Sequence, residues 1–406
     1  MVTSSYPRFP GDSVGTFMEP IAKSVAARGH DVHVVAPWHP LVTRGPREDG
    51  VSFHFYKYAP APGLNVFGYA GALRADVRLR GAAYVAAPLA LGAGWLKARS
   101  VARRYRATVM HGHWVIPGGA VARAAARHLP LVVSLHGSDV YVAERLSPAR
   151  RVARRVFRQA GAVTACSADL AQRALALGAS PERIEVVPYG VDPTRFRPDP
   201  LLRAKRRASL GIATQVPIVF AAGRLVRKKG FEYLIDALAM SPRELGVLVV
   251  LAGGGDLDGE LRARAEAAGV SDRIRFVGNL SQDDVAAWLA TADMVAVPSV
   301  RDDSGNVDGL PNVVLEALAS GTPLISTPAG GIGAVVEHGR TGIIVAERDA
   351  AALADAITAL AGNPTKRIQL GEAARATVSA RYGWEFVASR LEAAYDRALA
   401  MMSTRR

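Results

Sequence analysis

The feature that most constrains the fold is an alternation of short, β-branched apolar runs with longer segments of helical periodicity. This alternation is typical of parallel sheets covered by helices. In the first half the predicted strands are residues 1–5, 31–36, 51–56, 107–111, 131–135, 162–165 and 184–188. The second half repeats the rhythm, with predicted strands at 217–221, 247–251, 274–277, 294–298, 324–327 and 342–345. We therefore predict an α/β chain of two doubly wound domains in sequence.

The boundary between the domains is predicted in residues 189–200, where one glycine and three prolines lie among polar side chains. We assign residues 1–190 to the first domain and 191–382 to the second. Residues 383–406 contain apolar side chains at helical spacing, and we expect this helix to pack back on the first domain. Only five residues precede the first loop, which is short for a buried strand, so we expect the start codon to lie upstream.

Positive charge is concentrated in the first domain. Residues 1–190 carry 24 Lys and Arg against 11 Asp and Glu, a net of +13, whereas residues 191–406 carry 26 against 25. Such a surface attracts a polyanion, which can be a nucleic acid, an anionic membrane or a phosphorylated substrate. Much of the charge lies in segments 97–106 and 150–158, for which ordinary solvated helix faces are an equal alternative. A nucleic-acid-binding protein is the alternative of another class, although these runs lack interleaved aromatic residues.

Composition excludes several other classes of protein. Half of the residues are hydrophobic, too many for a disordered chain. The single cysteine, Cys166, excludes a disulfide framework and a cysteine-ligated zinc site, and predicts a reducing compartment, the cytosol. The uncharged run 81–96 is too short to span a membrane, and residues 1–10 lack the pattern of a secretory signal. We expect a soluble protein, at most attached to a membrane surface.

Two carboxylates, Asp308 and Glu316, bracket a predicted helix start, with Pro311 suited to the first helical turn. The free N–H groups of such a turn can receive phosphate oxygens, and Glu316 can accept hydrogen bonds from ribose hydroxyls. The structural alternative makes Asp308 a helix cap and Glu316 a solvated side chain.

A basic turn, residues 222–230, follows a predicted strand and precedes the predicted helix 231–240. Cations and backbone donors at such a junction form a diphosphate site, with Arg224 as a bidentate donor and Lys229 as a compact ammonium. Arg227 and Lys228 fit a solvated turn better. The chain has neither a complete dinucleotide fingerprint nor a Walker-type Gly-Lys-Ser/Thr, which disfavours a nicotinamide enzyme or a phosphate-loop NTPase.

In the first domain a glycine loop at 10–15 precedes the predicted helix 16–28, and glycine there lets the backbone approach a phosphate or sugar.

Three histidines, His111, His113 and His136, lie at predicted strand ends, where parallel sheets bind ligands. We predict a functional role for His136, whereas His113 fits a core or a ligand-binding residue equally well. A zinc site at His111 and His113 is disfavoured because no convincing third ligand lies nearby in the sequence.

These segments together resemble the GT-B glycosyltransferases of family 4, over about residues 1–400. The resemblance is carried by the glycine loop at 11–15, His-Gly-Ser-Asp at 136–139, Val-Pro-Tyr-Gly-Val-Asp at 187–192, Gly-Arg-Leu-Val-Arg-Lys-Lys-Gly at 223–230 and Gly-Leu-Pro-Asn-Val-Val-Leu-Glu-Ala-Leu-Ala at 309–319. It implies two Rossmann-like domains facing a cleft, the first binding the acceptor and the second the nucleotide sugar. The implied reaction is a retaining, metal-independent transfer of the hexosyltransferase type.

The resemblance also implies roles for individual residues. The implied catalytic residues are His136, Lys229 and Asp308; the donor-binding residues are Arg224, Lys229, Glu316, Leu310, Pro311 and Asn312; and Gly11, Gly15 and His113 belong to the acceptor side or glycine loop. Arg224 and Lys229 would bind the donor diphosphate, and Glu316 the ribose. Asp308 would contact the donor sugar, and His136 would lie against that sugar or its phosphate.

The resemblance implies no metal and no cofactor beyond a UDP- or GDP-linked donor. The expected partners are a nucleotide sugar, a glycan or lipid-linked acceptor and an anionic surface at the cytoplasmic face of the cell membrane, with no nucleic acid.

Two departures from the family pattern leave the donor open: Asp308 replaces glutamate, and the sequence at 330–334 replaces the frequent Gly-Gly-Ile-Pro-Glu. A nucleotide-sugar epimerase of the same fold is the alternative reaction.

Overall fold

The computed structural model describes residues 1–12, 14–59, 65, 68–69, 73–74, 78–79 and 81–403. The chain divides into two compact units, one formed by Met1–Tyr189 with Trp384–Arg406 and the other by Gly190–Gly383. The chain passes from the first unit to the second within the Gly- and Pro-containing segment 189–200 and returns to the first at its last helix.

The first unit has mainly parallel strands with covering helices; β2 pairs antiparallel with β3, and β4 and β5 form a separate antiparallel pair. Its strands are β1 (Val32–Pro37), β2 (Arg47–Glu48), β3 (Val51–Tyr56), β4 (Leu73–Arg74), β5 (Arg78–Leu79), β6 (Met110–His113), β7 (Leu131–Leu135), β8 (Ala162–Ala165) and β9 (Ile184–Val186). Its helices before the boundary are α1 (Met18–Ala27), α2 (Gly81–Arg104), α3 (Ala120–Ala125), α4 (Ser138–Arg145), α5 (Ser147–Gln159) and α6 (Ala168–Ala176). The strand order is β1-β3-β2 in one group and β6-β7-β8-β9 in the other.

The N-terminal residues join these two groups of strands. Val2 forms parallel bridges to Val35 in β1 and to Gly112 in β6. The Val2 N–H donates to the carbonyl of His111 (2.8 Å), and the Thr3 N–H donates to that of Val35 (3.0 Å). The strand predicted at 1–5 is therefore wrong in length, because a single residue pairs on both sides before the chain turns away.

A second strand prediction is displaced along the chain. Residues 107–111 were predicted as a strand, but β6 is Met110–His113. The Ala107 N–H donates to the carbonyl of Ala102 (2.9 Å), so residue 107 still belongs to the hydrogen-bonded end of α2. The shift places His113 at the carboxyl end of the strand.

The second unit is a six-stranded, wholly parallel sheet. Its strands are β10 (Ile218–Ala222), β11 (Leu248–Ala252), β12 (Ile274–Gly278), β13 (Met294–Val297), β14 (Leu324–Ser326) and β15 (Ile343–Ile344). Its helices are α7 (Pro200–Ser209), α8 (Phe231–Met240), α9 (Asp258–Ala267), α10 (Gln282–Thr291), α11 (Asn312–Ala319), α12 (Ala350–Ala361) and α13 (Pro364–Arg381). The order β12-β11-β10-β13-β14-β15 reverses direction between β10 and β13. In such sheets the crevice beyond the carboxyl ends of the strands at the reversal is where ligands bind.

The last helix, α14 (Trp384–Ser403), is part of the first unit and packs on α1, β7 and β8. Its residues Val387, Leu391 and Tyr395 are buried in the same core as α1 and β1. A Cβ atom on Gly161 would lie 2.7 Å from the Cα atom of Ala398, so the absence of a side chain at 161 allows this close packing.

Among the helices in the described part of the chain, none combines the length and apolar content that crossing a bilayer requires.

Candidate active site

The basic turn of the second unit connects β10 to α8 at the carboxyl edge of the sheet. Residues 227–229 form a short 3-10 turn, and Gly230 follows with a φ of +66°, a left-handed conformation that glycine adopts without strain. The Val300 N–H donates to the carbonyl of Lys228 (2.9 Å), which ties the turn to the loop after β13. The turn therefore lies at the point where the strand order reverses.

Both lysines of this turn pair with Asp308. The Lys228 Nζ lies 3.0 Å from Asp308 Oδ1, and the Lys229 Nζ lies 2.6 Å from Oδ2. The three side chains are only 7 to 13% exposed. Burial alone would raise the pKa of Asp308, but the charges of the two lysines and their hydrogen bonds hold it well below its ordinary value. We call these three residues the Lys-Asp-Lys cluster; it holds a permanent carboxylate between two ammonium groups.

The prediction that Lys228 is a solvated turn residue is wrong, because this residue is only 6% exposed. Arg227 does fit that description: its guanidinium is half exposed and pairs with Glu260 at 2.6 Å. Arg224 is exposed on the same turn, directly after Gly223. In the sequence Lys228 is visible only as a second lysine next to Lys229. That pattern does not show whether its ammonium is buried or solvated.

Two glycines lie in close contact with residues of the Lys-Asp-Lys cluster. A Cβ atom on Gly223 would lie 3.2 Å from Cε of Lys229. Gly330 has a φ of +63°, and a Cβ atom there would lie 1.8 Å from the carbonyl oxygen of Asp308. The segment 330–334, which departs from the family pattern, thus retains the glycine that the Asp308 backbone requires.

Helix α11 carries the second predicted carboxylate. Pro311 occupies the N-cap position of the helix, Asn312 is its first residue, and Leu310 is buried just before it. Glu316 is 8% exposed; burial raises its pKa to about 7, an effect that the charge of Arg195 opposes. The structural alternative is therefore wrong, since Asp308 does not cap the helix and Glu316 is not solvated.

In the first unit, two of the predicted histidines are linked to a tyrosine. The Nδ1 atom of His113 lies 3.1 Å from Nε2 of His136, whose Nδ1 lies 2.9 Å from the hydroxyl of Tyr189. Burial lowers the pKa of His136 to about 3 and that of His113 well below its usual value. Both rings are therefore neutral, and each contributes one N–H to a directional chain, which we call the His-His-Tyr chain.

The free end of this chain fixes its direction. His113 Nε2 is buried and has no hydrogen-bond partner among the residues that the structure describes. An orphaned N–H is rarer in proteins than an orphaned lone pair, so Nε2 is assigned as the unprotonated nitrogen. His113 then donates from Nδ1 to Nε2 of His136, and His136 donates from Nδ1 to the hydroxyl oxygen of Tyr189.

Aromatic rings enclose His136. The ring of Phe17 lies 4.7 Å from those of both His136 and Tyr189, and the ring of Trp114 lies 4.6 Å from His136. Phe17 follows the glycine loop, where Gly15 has a φ of +66°. Gly11 is exposed on this loop, away from the histidines.

Asp139 fastens the turns that carry the histidines. Its carboxylate accepts from the N–H of Val115 (2.6 Å) after β6 and from that of Gly137 (3.1 Å) after β7. Burial raises the pKa of Asp139 to about 6, although these backbone hydrogen bonds oppose the rise. Trp114, beside them, has a φ of +63°, which is uncommon for a bulky side chain. Asp139 and Tyr189 lie in segments that carry the family resemblance, but the sequence alone does not show which residues they bond to.

His111 is a core residue and not part of this arrangement. Its ring nitrogens bond to the hydroxyls of Tyr395 (2.9 Å) and Ser134 (2.8 Å). The expectation that all three histidines face a ligand crevice is therefore wrong for His111, which helps to seat α14 on the sheet. Within the described residues, no three His, Cys, Asp or Glu side chains are grouped in a way that could hold a metal ion.

Two family models match this chain, Glycosyltransferase Family 4 over residues 14–195 and Glycosyl transferases group 1 over residues 203–377. One relative is the GDP-mannose-dependent alpha-(1-6)-phosphatidylinositol monomannoside mannosyltransferase of Mycobacterium tuberculosis, 35% identical over 263 residues that cover 64% of this chain and 68% of the relative. Another is the D-inositol 3-phosphate glycosyltransferase of Xylanimonas cellulosilytica, 32% identical over 325 residues and 76% of each chain.

Among solved structures, HepE of Anabaena in complex with UDP and glucose matches with a TM-score of 0.76. The match covers 97% of this chain and 98% of HepE at 23% identity, and so shows the fold alone. The two units have the Rossmann-like architecture of that fold. The chain belongs to the family 4, group 1 glycosyltransferases and has the GT-B fold.

Proposed function

We propose that this glycosyltransferase moves a hexosyl group from a UDP- or GDP-linked donor to a lipid-linked or saccharide acceptor, with retention of configuration and without a metal ion. The single observation that carries the donor assignment is the buried Lys-Asp-Lys cluster at the strand-order reversal of the second unit. The relative from Mycobacterium tuberculosis is named as GDP-mannose-dependent, and HepE was crystallised with UDP and glucose, which supports a nucleotide sugar as donor.

In this proposal Lys229 and Arg224 bind the donor diphosphate. Breaking the glycosyl phosphate bond builds negative charge on the leaving phosphate, so fixed cations there act most strongly at the transition state. Asp308 already holds the Lys229 ammonium in place before the donor arrives, which removes part of the reorganisation that binding would otherwise require.

Asp308 contacts the donor sugar in this proposal. Each of its carboxylate oxygens is engaged by one lysine, and each retains a further lone pair for a sugar hydroxyl. Because Asp308 stays ionised, its negative charge also stabilises the positive charge that develops on the sugar ring as the bond breaks.

Glu316 binds the ribose, with Leu310, Pro311 and Asn312 forming the rest of the donor site at the start of α11. The buried carboxylate offers two acceptors for the neighbouring hydroxyls. Ribose hydroxyls that donate to the ionised form lower its pKa, so donor binding releases a proton when the solution pH is near 7.

The first unit binds the acceptor in this proposal, through the glycine loop and the His-His-Tyr chain. His136 is neutral, and both of its ring nitrogens are hydrogen-bonded. We therefore assign it an orienting role, with the Tyr189 hydroxyl as the acceptor that fixes the ring. The names of both relatives specify acceptors that contain an inositol phosphate group, which supports a phosphorylated acceptor for this strongly basic domain.

The deciding experiment is a titration of the protein with a panel of UDP- and GDP-sugars, followed by thermal unfolding and by analysis of the products. A cognate donor at a hundred times its Kd should stabilise the fold by about 2.7 kcal/mol. Lys229→Ala should lose both this stabilisation and transfer, whereas the matched control Arg227→Ala on the same turn should keep both.

Retained transfer in Lys229→Ala would contradict the donor assignment. An epimerised nucleotide sugar, formed with no transfer to any acceptor, would instead identify the epimerase alternative.

A further inference from the structure

Residues 86–96 of α2, which we call its apolar half, expose large apolar side chains to solvent. Leu89 is 55% exposed, Trp95 37% and Leu96 60%. Pro88 and Leu91 are also exposed, and the stretch from 86 to 96 contains no charged residue. Exposed apolar residues are normal when scattered singly, but a contiguous group on a single helix indicates an interaction site.

The last eight residues of the same helix, 97–104, are rich in cations. Exposed Arg103 and Arg104 and the half-buried Arg99 follow directly after the apolar stretch. Polarity therefore changes along the helix axis, and a surface that contacts α2 lengthwise meets apolar side chains first and guanidinium groups next.

Neighbouring helices extend this cationic region. Arg155 and Arg158 are exposed on α5, Arg127 is exposed just after α3, and the three lie close enough to Arg123 to lower its pKa further after burial has lowered it. Within the described residues, none of Arg99, Arg127, Arg155 and Arg158 pairs with a carboxylate. Like charges grouped without counterions are costly unless an anion compensates them.

A groove lies between α2 and α3, where the apolar and cationic regions meet. Its volume is about 450 Å³, and it is lined by Trp95, Arg99, Ala124, Ala125, Arg127 and His128. The Trp95 indole N–H donates to the carbonyl of Ala124 (3.1 Å), which fixes one wall. The groove thus offers two guanidinium groups to a phosphate, beside an aromatic ring and exposed leucines.

We propose that the groove, the apolar half of α2 and the arginines of α2, α3 and α5 form a docking surface for an anionic phospholipid bilayer. The guanidinium groups bind lipid phosphates, Trp95 lies at the level of the headgroups, and Leu89 and Leu96 enter the acyl region. A nucleic acid would use the cations but has no place for the leucines, and a free phosphate ion would use neither the leucines nor the arginines of α5. This surface does not rest on the proposed transfer chemistry.

The test uses the full chain and co-sedimentation with vesicles of phosphatidylcholine, alone or mixed equally with phosphatidylglycerol, at low and high ionic strength. Only the anionic vesicles should bind the protein, and salt should weaken the binding. Each interfacial arginine contributes about 1 kcal/mol, so Arg99→Gln/Arg127→Gln should lower the partition coefficient roughly thirtyfold. The matched control Lys205→Gln/Arg275→Gln removes two exposed cations from the second unit and should bind as the wild type does.

The apolar half is tested separately, by Leu89→Ser/Leu96→Ser. This pair should lower the partition coefficient at least about tenfold, because two leucines leave the acyl region. The control Leu201→Ser/Ile368→Ser changes two apolar residues of the second unit that are at least as exposed, 85% and 60%, and should have no effect.

Three results would overturn the proposal: no binding to anionic vesicles at low salt, equal loss in test and control variants, or binding of duplex RNA or DNA by the same arginines without vesicle binding. The unfolding temperature without ligand serves as the fold check and should stay close to the wild-type value in all four variants, while stabilisation by a nucleotide sugar is measured separately and tests the donor assignment. A failure of vesicle binding is thereby distinguished from a failure of the donor assignment.

Discussion

Lys228 is the residue for which the structure adds most to the sequence. Its ammonium is buried and pairs with Asp308, which already pairs with Lys229. Both carboxylate oxygens are then engaged, and the cluster retains a net positive charge toward an incoming diphosphate. Lys228 is thus a positioning residue, because it acts on the donor through Asp308.

Replacing Lys228 by methionine should destabilise the protein by roughly 2 to 4 kcal/mol, because it removes one partner of a buried ion pair. Denaturant unfolding measures this loss. The control Arg227→Met removes a half-exposed pair with Glu260 and should cost at most about 1 kcal/mol. Equal losses in the two variants would show that burial of Lys228 has no energetic consequence.

Glu316 makes the stability of the protein depend on pH. Its folded-state pKa is raised from 4.5 to about 7, so the folded protein keeps the proton through a range in which the unfolded chain releases it. The contribution to stability is complete below the unfolded value and is lost as the pH rises through 7. Glu316→Gln does not titrate, so it should gain on the order of 2 to 3 kcal/mol over the wild type at pH 8 but not at pH 4.

Unfolding of wild type and Glu316→Gln at both pH values measures this difference. The control Glu266→Gln lies on the exposed face of α9 and should leave the pH profile unchanged. Parallel profiles for the wild type and Glu316→Gln would contradict the assigned burial, and the lost ribose contacts should abolish transfer in Glu316→Gln irrespective of stability.

At the scale of elements, the turns after β6 and β7 are held together by the Asp139 carboxylate. Asp139→Ala leaves the buried N–H groups of Val115 and Gly137 without an acceptor, which should cost about 1 to 3 kcal/mol for each. Hydrogen exchange should show faster exchange at these two amides. Exchange at wild-type rates would mean that the turns are fixed by other contacts.

The His-His-Tyr chain ends just after β9, where the Tyr189 hydroxyl is hydrogen-bonded to His136. Tyr189→Phe removes the acceptor of the His136 Nδ1–H while keeping the ring that stacks on Phe17. Transfer should fall by about tenfold, the effect of one hydrogen bond of roughly 1.4 kcal/mol, while donor-induced stabilisation is unchanged. Loss of donor binding would contradict the assignment of Tyr189 to the acceptor side.

The sequence predicted the elements better than the contacts between them. Strands β7 and β8 have the predicted bounds because fully buried parallel strands are largely apolar runs with clear ends. Strand β3 also has them, because its apolar and polar side chains alternate. The start of β6 was wrong because a local hydrogen bond, from the Ala107 N–H to the carbonyl of Ala102, ties residue 107 to the end of α2 and keeps it out of the sheet. Hydrophobic periodicity does not show such a bond.

The candidate site shows the same limit. Lys229 and Asp308 were selected from local patterns, yet the burial of Lys228 depends on a partner 80 positions away in the sequence. His136 was selected at a strand end, but its bond to Tyr189 spans 53 residues. A single sequence shows which residue types lie at the ends of helices and strands, but not which of these residues contact one another.

At the scale of the whole molecule, α14 closes the core of the first unit. Gly161→Val would place a branched side chain against the backbone of Ala398, where even a Cβ atom would lie 2.7 Å away. It should destabilise the first unit by about 1 to 3 kcal/mol, whereas stabilisation by a nucleotide sugar in the second unit should be retained. Loss of nucleotide binding in this variant would show that the two units do not fold independently.

The discontinuous first unit also has a consequence for biosynthesis. Its last structural element begins at Trp384, after the entire second unit has been translated. Domains usually fold in the order of their synthesis. Here the second unit is fully synthesised while the first still exposes the apolar face of α1 that α14 will cover. Nascent chains should therefore be bound by chaperones at the first unit until the twenty residues of α14 have emerged from the ribosome.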